Sequence, residues 1–163
     1  MEENTQLTLE AIVLNAFGKL ILIEGEKAAS KPSEDKWSAK QIIGHLIDSA
    51  SNNHGRFMRA QFSDDLIFQA YQQEGWVANQ NYQEADWHDL LILWRQFNLH
   101  IAFLIKQIPI GILTLERKQH NLNKVAWQTV PIDQPVTLAY FIDDYVAHLQ
   151  HHLKQVLDLL ENS

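Results

Sequence analysis

The sequence contains no cysteine. Disulfides, thiolate metal ligands and a protein-borne thiol nucleophile are therefore excluded. It also lacks a long apolar run: 46% of the chain is hydrophobic, yet no stretch approaches the roughly 18–20 residues that span a bilayer. The opening MEENTQLTLE has neither the basic nor the apolar region of a secretory signal, so the expected location is cytoplasmic. Positive charge is in deficit, with 13 Lys and Arg against 20 Asp and Glu and a net charge of −7. Such a surface repels phosphate backbones and anionic lipid, so neither nucleic acid nor membrane is an expected partner. No repeat, low-complexity segment or linker interrupts the chain, and residues 1–163 are expected to form a single domain.

What is present in excess is histidine, eight in all. With no thiolate to compete, a transition-metal site in this chain has to use imidazole and carboxylate. Four long stretches carry helical periodicity, separated by breaks that contain Pro, Gly or Asn. The first covers about residues 8–27 and is closed by Pro32. The second opens on an S-x-x-Q capping box, Ser38 with Gln41, has Trp37 placed to staple onto Ile42, and runs to about residue 62. The third spans about residues 84–107 and stops at Pro109. The fourth, N-capped by Thr137, continues to Glu161. The two inner connections, about residues 63–82 and 108–136, exceed the usual loop length in bundles. Long connections let the chain cross over and begin a parallel helix, so the expected fold is all-α, a four-helix bundle in up-down-down-up order. LTLERKQ and VAWQTVPI alternate enough to read as short strands in the second crossover.

Three histidines lie on the fourth helix, in DDYVAHLQHHLKQV. His148 and His152 are one turn apart on one face, the spacing at which two imidazoles can share an ion. On a helical wheel they border the buried stripe of Leu138, Tyr145, Leu149, Leu153 and Val156, at about 90° and 60° from its centre, while His151 at about 150° points to water. A surface helix that is merely His-rich fits this pattern equally well. A third ligand would come from the second helix, where His54 lies near the apolar stripe and His45 to one side of it. Axial height separates the two. His45 sits about 10 Å into its helix and His152 about 13 Å from the end of its own, so antiparallel packing levels them and leaves His54 a turn or more away. His88, His100 and His120 have no partner at ligand spacing.

WSAKQIIGHLIDSASNNHGRF, a Trp, a cap and an H-x-x-D pair, resembles the second-helix motif of the DinB/YfiT-like superfamily. DYVAHLQHHLKQV resembles that superfamily's last-helix motif, H-x-x-H-H. The resemblance implies an up-down-down-up bundle with a divalent metal (nickel, zinc or another ion) held by His45, His148 and His152. It also implies kinship with thiol-dependent S-transferases and isomerases that use bacillithiol, mycothiol or glutathione, and a homodimer is common among such bundles.

Three imidazoles leave coordination positions open, as catalytic rather than structural sites do. Activation of a thiol brought by a low-molecular-weight cosubstrate is the first expected chemistry, on a small-molecule substrate. Activation of water, making a metal-dependent hydrolase, is the second, and a non-enzymatic metal-binding or interaction bundle is the third. Asp48 and Asp144 are placed to accept hydrogen bonds from the ligand rings, and solvation or pairing with Lys and Arg fits them equally well. Arg56 and Arg59 are the cations nearest the site for cosubstrate carboxylates. Tyr71, Trp76 and Trp127 fall in connections and are candidate pocket residues, whereas Trp87 and Trp94 are expected to be packing.

Overall fold

The computed structural model describes residues 2–162, with side chains from residue 9 onward. In chain order the helices are α1 (Glu2–Leu20), α2 (Gly25–Ala29), α3 (Ala39–Ala60), α4 (Gln73–Asn79), α5 (Trp87–Gln107), α6 (Ile110–Leu113), α7 (Leu122–Val125) and α8 (Leu138–Glu161), with a 3-10 turn at Tyr82–Glu84. Four of these, α1, α3, α5 and α8, are long enough to build a bundle. The caps fall where the sequence places them. Ser38 and Gln41 form a reciprocal capping box, and the Thr137 side chain accepts from the Tyr140 N–H.

Direction follows from which ends meet. The Trp87 indole at the start of α5 donates to the Leu20 carbonyl at the end of α1, 3.2 Å away, so these two run antiparallel. His54, well along α3, meets Phe97 and His100, equally far along α5, so α3 and α5 run parallel. Phe57 near the end of α3 packs edge-on against Phe141 and Tyr145 near the start of α8, so those two run antiparallel. Both α1 and α3 pack on α5 and on α8. The order is up-down-down-up, and one continuous apolar cluster from Leu9 to Leu160 fills the centre.

Three boundaries differ from the sequence reading. The first helix does not reach residue 27. It ends at Leu20, whose carbonyl serves Trp87 and the Ile23 N–H, and the chain turns before α2. The α5 helix begins at Trp87 rather than 84, because the Asp86 side chain caps the Asp89 N–H after the 3-10 turn. The two short strands do not form. Among the described residues only isolated bridges occur, Leu66 with His120 and Arg117 with Val136. The alternation there reflects single apolar anchors such as Leu113, Leu122 and Val136 dropping into the core while the chain crosses the bundle.

Gly44 marks the tightest approach near the future site. A Cβ built there would lie 2.1 Å from Cδ2 of the Tyr82 ring. That ring cannot retreat freely, since its hydroxyl donates to Asp48 at 2.7 Å and the side chain is buried. Gly44→Ala is therefore expected to destabilise the fold by about 2 kcal/mol, overpacking outweighing the gain in helix propensity. Urea unfolding would measure it. The double variant Gly44→Ala/Tyr82→Ala should show non-additive recovery, and simple additivity would refute the clash.

Candidate metal centre

The antiparallel pairing of α3 and α8 brings the second turn of one helix level with the middle of the other. His45, His148 and His152 converge there, with one ligand atom from each lying within 4.8 Å of the others. His45 Nε2 and His148 Nε2 stand 3.3 Å apart. Two imidazole nitrogens on a tetrahedral ion, each about 2.0–2.1 Å from it, stand about 3.3 Å apart, so this pair fits. At its widest the cluster is about 1.5 Å looser than a filled tetrahedron, a gap that rotation of an imidazole can close.

Each ring is fixed differently. His45 is fully buried, and its ring packs against that of Trp37, centroids 5.2 Å apart. Its Nδ1 has no hydrogen-bond partner, so ring packing and the Nε2 contact with His148 set its orientation. The His152 ring pairs its Nδ1 with Gln155 Oε1 at 2.9 Å, which turns Nε2 toward the cluster. The rings of His148 and His152 stand nearly perpendicular, 4.6 Å between centroids. Burial, with repulsion from His152, lowers the pKa of His45 to about 4. Burial and the three neighbouring histidines lower His148 to about 3. His152 is also lowered, first by burial. All three rings are thus neutral near pH 7 and present lone pairs, which is what a metal requires of imidazole.

His148 and His152 also line a cavity of about 440 Å³. Its wall includes Asn53, Arg56, Tyr71, Trp127, Phe141 and Asp144. Tyr71 and Trp127 therefore stand where the sequence places pocket residues, whereas Trp76 is outside the wall and packs on the Tyr71 ring at 4.9 Å. Trp87 and Trp94 are core.

The two carboxylates do not support the rings. Asp48 Oδ1 accepts from Tyr82 and from Gln80, which ties the connection after α4 to α3. Asp144 accepts from the Trp127 N–H at 2.9 Å and the Gln128 N–H at 2.7 Å, which anchors the loop forming one cavity wall. Arg59 is exposed and outside the wall; Arg56 is buried within it. His54 packs with His100 and Phe97 away from the cluster. His120 is structural, bonded to the Gln134 carbonyl and accepting from the Leu122 N–H. His88 is exposed. His151, exposed on the cavity rim, packs against Trp127.

The sequence matches the DinB superfamily over residues 13–156. No curated protein matches it. Among solved structures the fold is similar to YfiT from Bacillus subtilis, with a TM-score of 0.80 at 17% identity, covering 99% of this chain and 86% of that one. That protein is described as a probable metal-dependent hydrolase with an unusual four-helix bundle topology. At that identity the likeness is one of fold. Among the described residues, no helix is long and apolar enough to cross a membrane.

Proposed function

The chain belongs to the DinB superfamily, and from that premise we propose a divalent-metal-dependent enzyme acting on a small molecule, with His45, His148 and His152 as the protein ligands. The observation that carries this reading is three neutral imidazoles converging at the edge of a 440 Å³ cavity. A divalent ion held there supplies Lewis acidity, lowering the pKa of a coordinated thiol or water toward neutrality. The chain's own part is to hold three lone pairs unprotonated, to shut water from the His45 side with Trp37, and to shape the cavity through the Asp144-anchored loop.

The finer reading is S-transfer or isomerisation with a low-molecular-weight thiol as cosubstrate. Among the described residues the only carboxylate on the cavity wall, Asp144, has both oxygens committed to backbone N–H groups. Asp144 is therefore not free to act as a general base for water, which leaves that role to the rim imidazole of His151, whereas a thiol needs much less help to ionise. Since the chain has no cysteine, that thiol must arrive on another molecule. Hydrolysis is the second reading, favoured by the description of the YfiT fold relative.

Nickel- or zinc-loaded protein should conjugate bacillithiol, mycothiol or glutathione to monochlorobimane well above the uncatalysed rate, and His148→Ala should lose that acceleration. Hydrolysis of esters or amides without conjugation would move the assignment to the second reading. Silence in both assays would leave a metal-binding module.

A further inference from the structure

We propose that the Arg56 guanidinium grips the carboxylate of a small molecule seated in the cavity beside the three histidines, which makes the ligand class of this cavity carboxylate-bearing. The inference rests on reading that cavity as the reaction site. Its starting point is a cation whose surroundings do not balance it.

Arg56 is 7% exposed and lines the cavity. Its Nη2 donates to the Gln69 carbonyl at 2.8 Å and its Nη1 reaches Asn53 Oδ1 at 3.4 Å, while the Tyr71 ring lies 5.9 Å away. A guanidinium carries five N–H donors, so these contacts leave capacity unused. Among the described residues no carboxylate forms a salt bridge with it, and the acid on the same wall, Asp144, directs its oxygens to the Trp127 and Gln128 N–H groups instead. A buried cation without a counter-charge is costly unless something else completes it.

Arg117 shows what a purely structural arginine looks like in this fold. It too is buried, but it donates to the Ala60 and Ile112 carbonyls and lies in the negative field of Asp64 and Asp65. It does not line this cavity. The planar fork of Arg56 matches a carboxylate, and one buried positive charge balances one negative charge. The other cation on the wall, Lys124, is exposed, so a dianion would find only one desolvated partner. Tyr71, Phe141 and Trp127 give the body of the ligand apolar and aromatic surface.

The test uses metal-free protein at neutral pH, titrated calorimetrically with benzoate and with its neutral counterpart benzamide. The wild type should prefer benzoate by about tenfold, the scale of one charge-assisted hydrogen-bonded pair. Arg56→Gln should erase that preference and leave benzamide unchanged, and Arg56→Lys should keep part of it. Equal affinities in the wild type, or no benzoate binding, would overturn the proposal, as would a preference that survives Arg56→Gln. Should Arg56→Gln fail to fold by circular dichroism, Arg56→Lys decides: unchanged benzoate affinity there overturns it. Because no ion takes part, failure here leaves the metal reading standing, and failure of metal binding leaves this one testable.

Discussion

Replacing His148 by alanine should abolish tight binding of a divalent ion, and His45→Ala and His152→Ala should do the same. Each substitution removes one of three nitrogens that converge within 4.8 Å. Two imidazoles on flexible side chains cannot hold an ion as three on packed helices do. The loss should exceed the 10–100-fold, roughly, that removing a supporting hydrogen bond from a metal site costs. His54→Ala and His151→Ala should retain the ion. His54 is engaged with Phe97 and His100, and His151 stands outside the convergent set. Metal analysis of untagged protein should give about one ion per chain in the wild type and in those two variants. Loss of the ion in His54→Ala, with retention in His45→Ala, would mean that the ligand from α3 is misassigned.

The second large effect is acid sensitivity of the chelator-treated protein. His45 and His148 are held neutral by burial, with pKa values of about 4 and about 3 against an ordinary 6.5. A depressed histidine pKa means that the unfolded chain binds the proton more tightly. Stability is then full above 6.5 and falls as pH drops toward the folded values. At pH 5 each of these two groups should have cost about 2 kcal/mol relative to neutral pH. His152 and His54, also lowered, act in the same direction. Asp48 and Asp144 act oppositely: burial raises both above 3.8, so their contribution is present below 3.8 and lost as pH rises through the folded value. Because the carboxylates oppose the imidazoles, a urea midpoint lower near pH 5 than near pH 7.5 reports the histidines. A midpoint unchanged between those two values would mean that the rings are hydrated in solution.

How much could be read without coordinates depended on how local each signal was. The pairing of His148 with His152 was legible because a one-turn spacing is a property of the helix alone. His45 was not legible from periodicity. The wheel set it beside the apolar stripe and His54 near it, while the structure buries His45 completely and leaves His54 half-buried. The reason is that α3 packs on both α5 and α8 and so has two buried seams, of which one stripe describes only one. Axial height and the motif resemblance supplied what the stripe could not. Asp48 and Asp144 were misread for a different reason. Their partners, Gln80, Tyr82, Trp127 and Gln128, lie in the connections, whose path depends on which core sites are free rather than on local pattern. The same holds for α4, α6 and α7, each too short to show a period. Arg56 and Arg59, three residues apart, looked equivalent until the wall of the cavity separated them.

The crossing connections carry a consequence for how the chain comes together in time. In a simple meander each helix finds its neighbour within a few residues, but here parallel neighbours and long crossovers raise the contact order, and a bundle so threaded should fold more slowly than a meander of the same helices. The site depends on such a long-range pairing, since His45 and His148 are 103 residues apart in sequence. During synthesis at about 5–20 residues per second, His45 leaves the ribosome about 5–20 s before its partner. Until α8 follows, the α3 face that it will cover has nothing to pack against, and a nascent or truncated chain that stops short of α8 carries only His45 of the three convergent histidines.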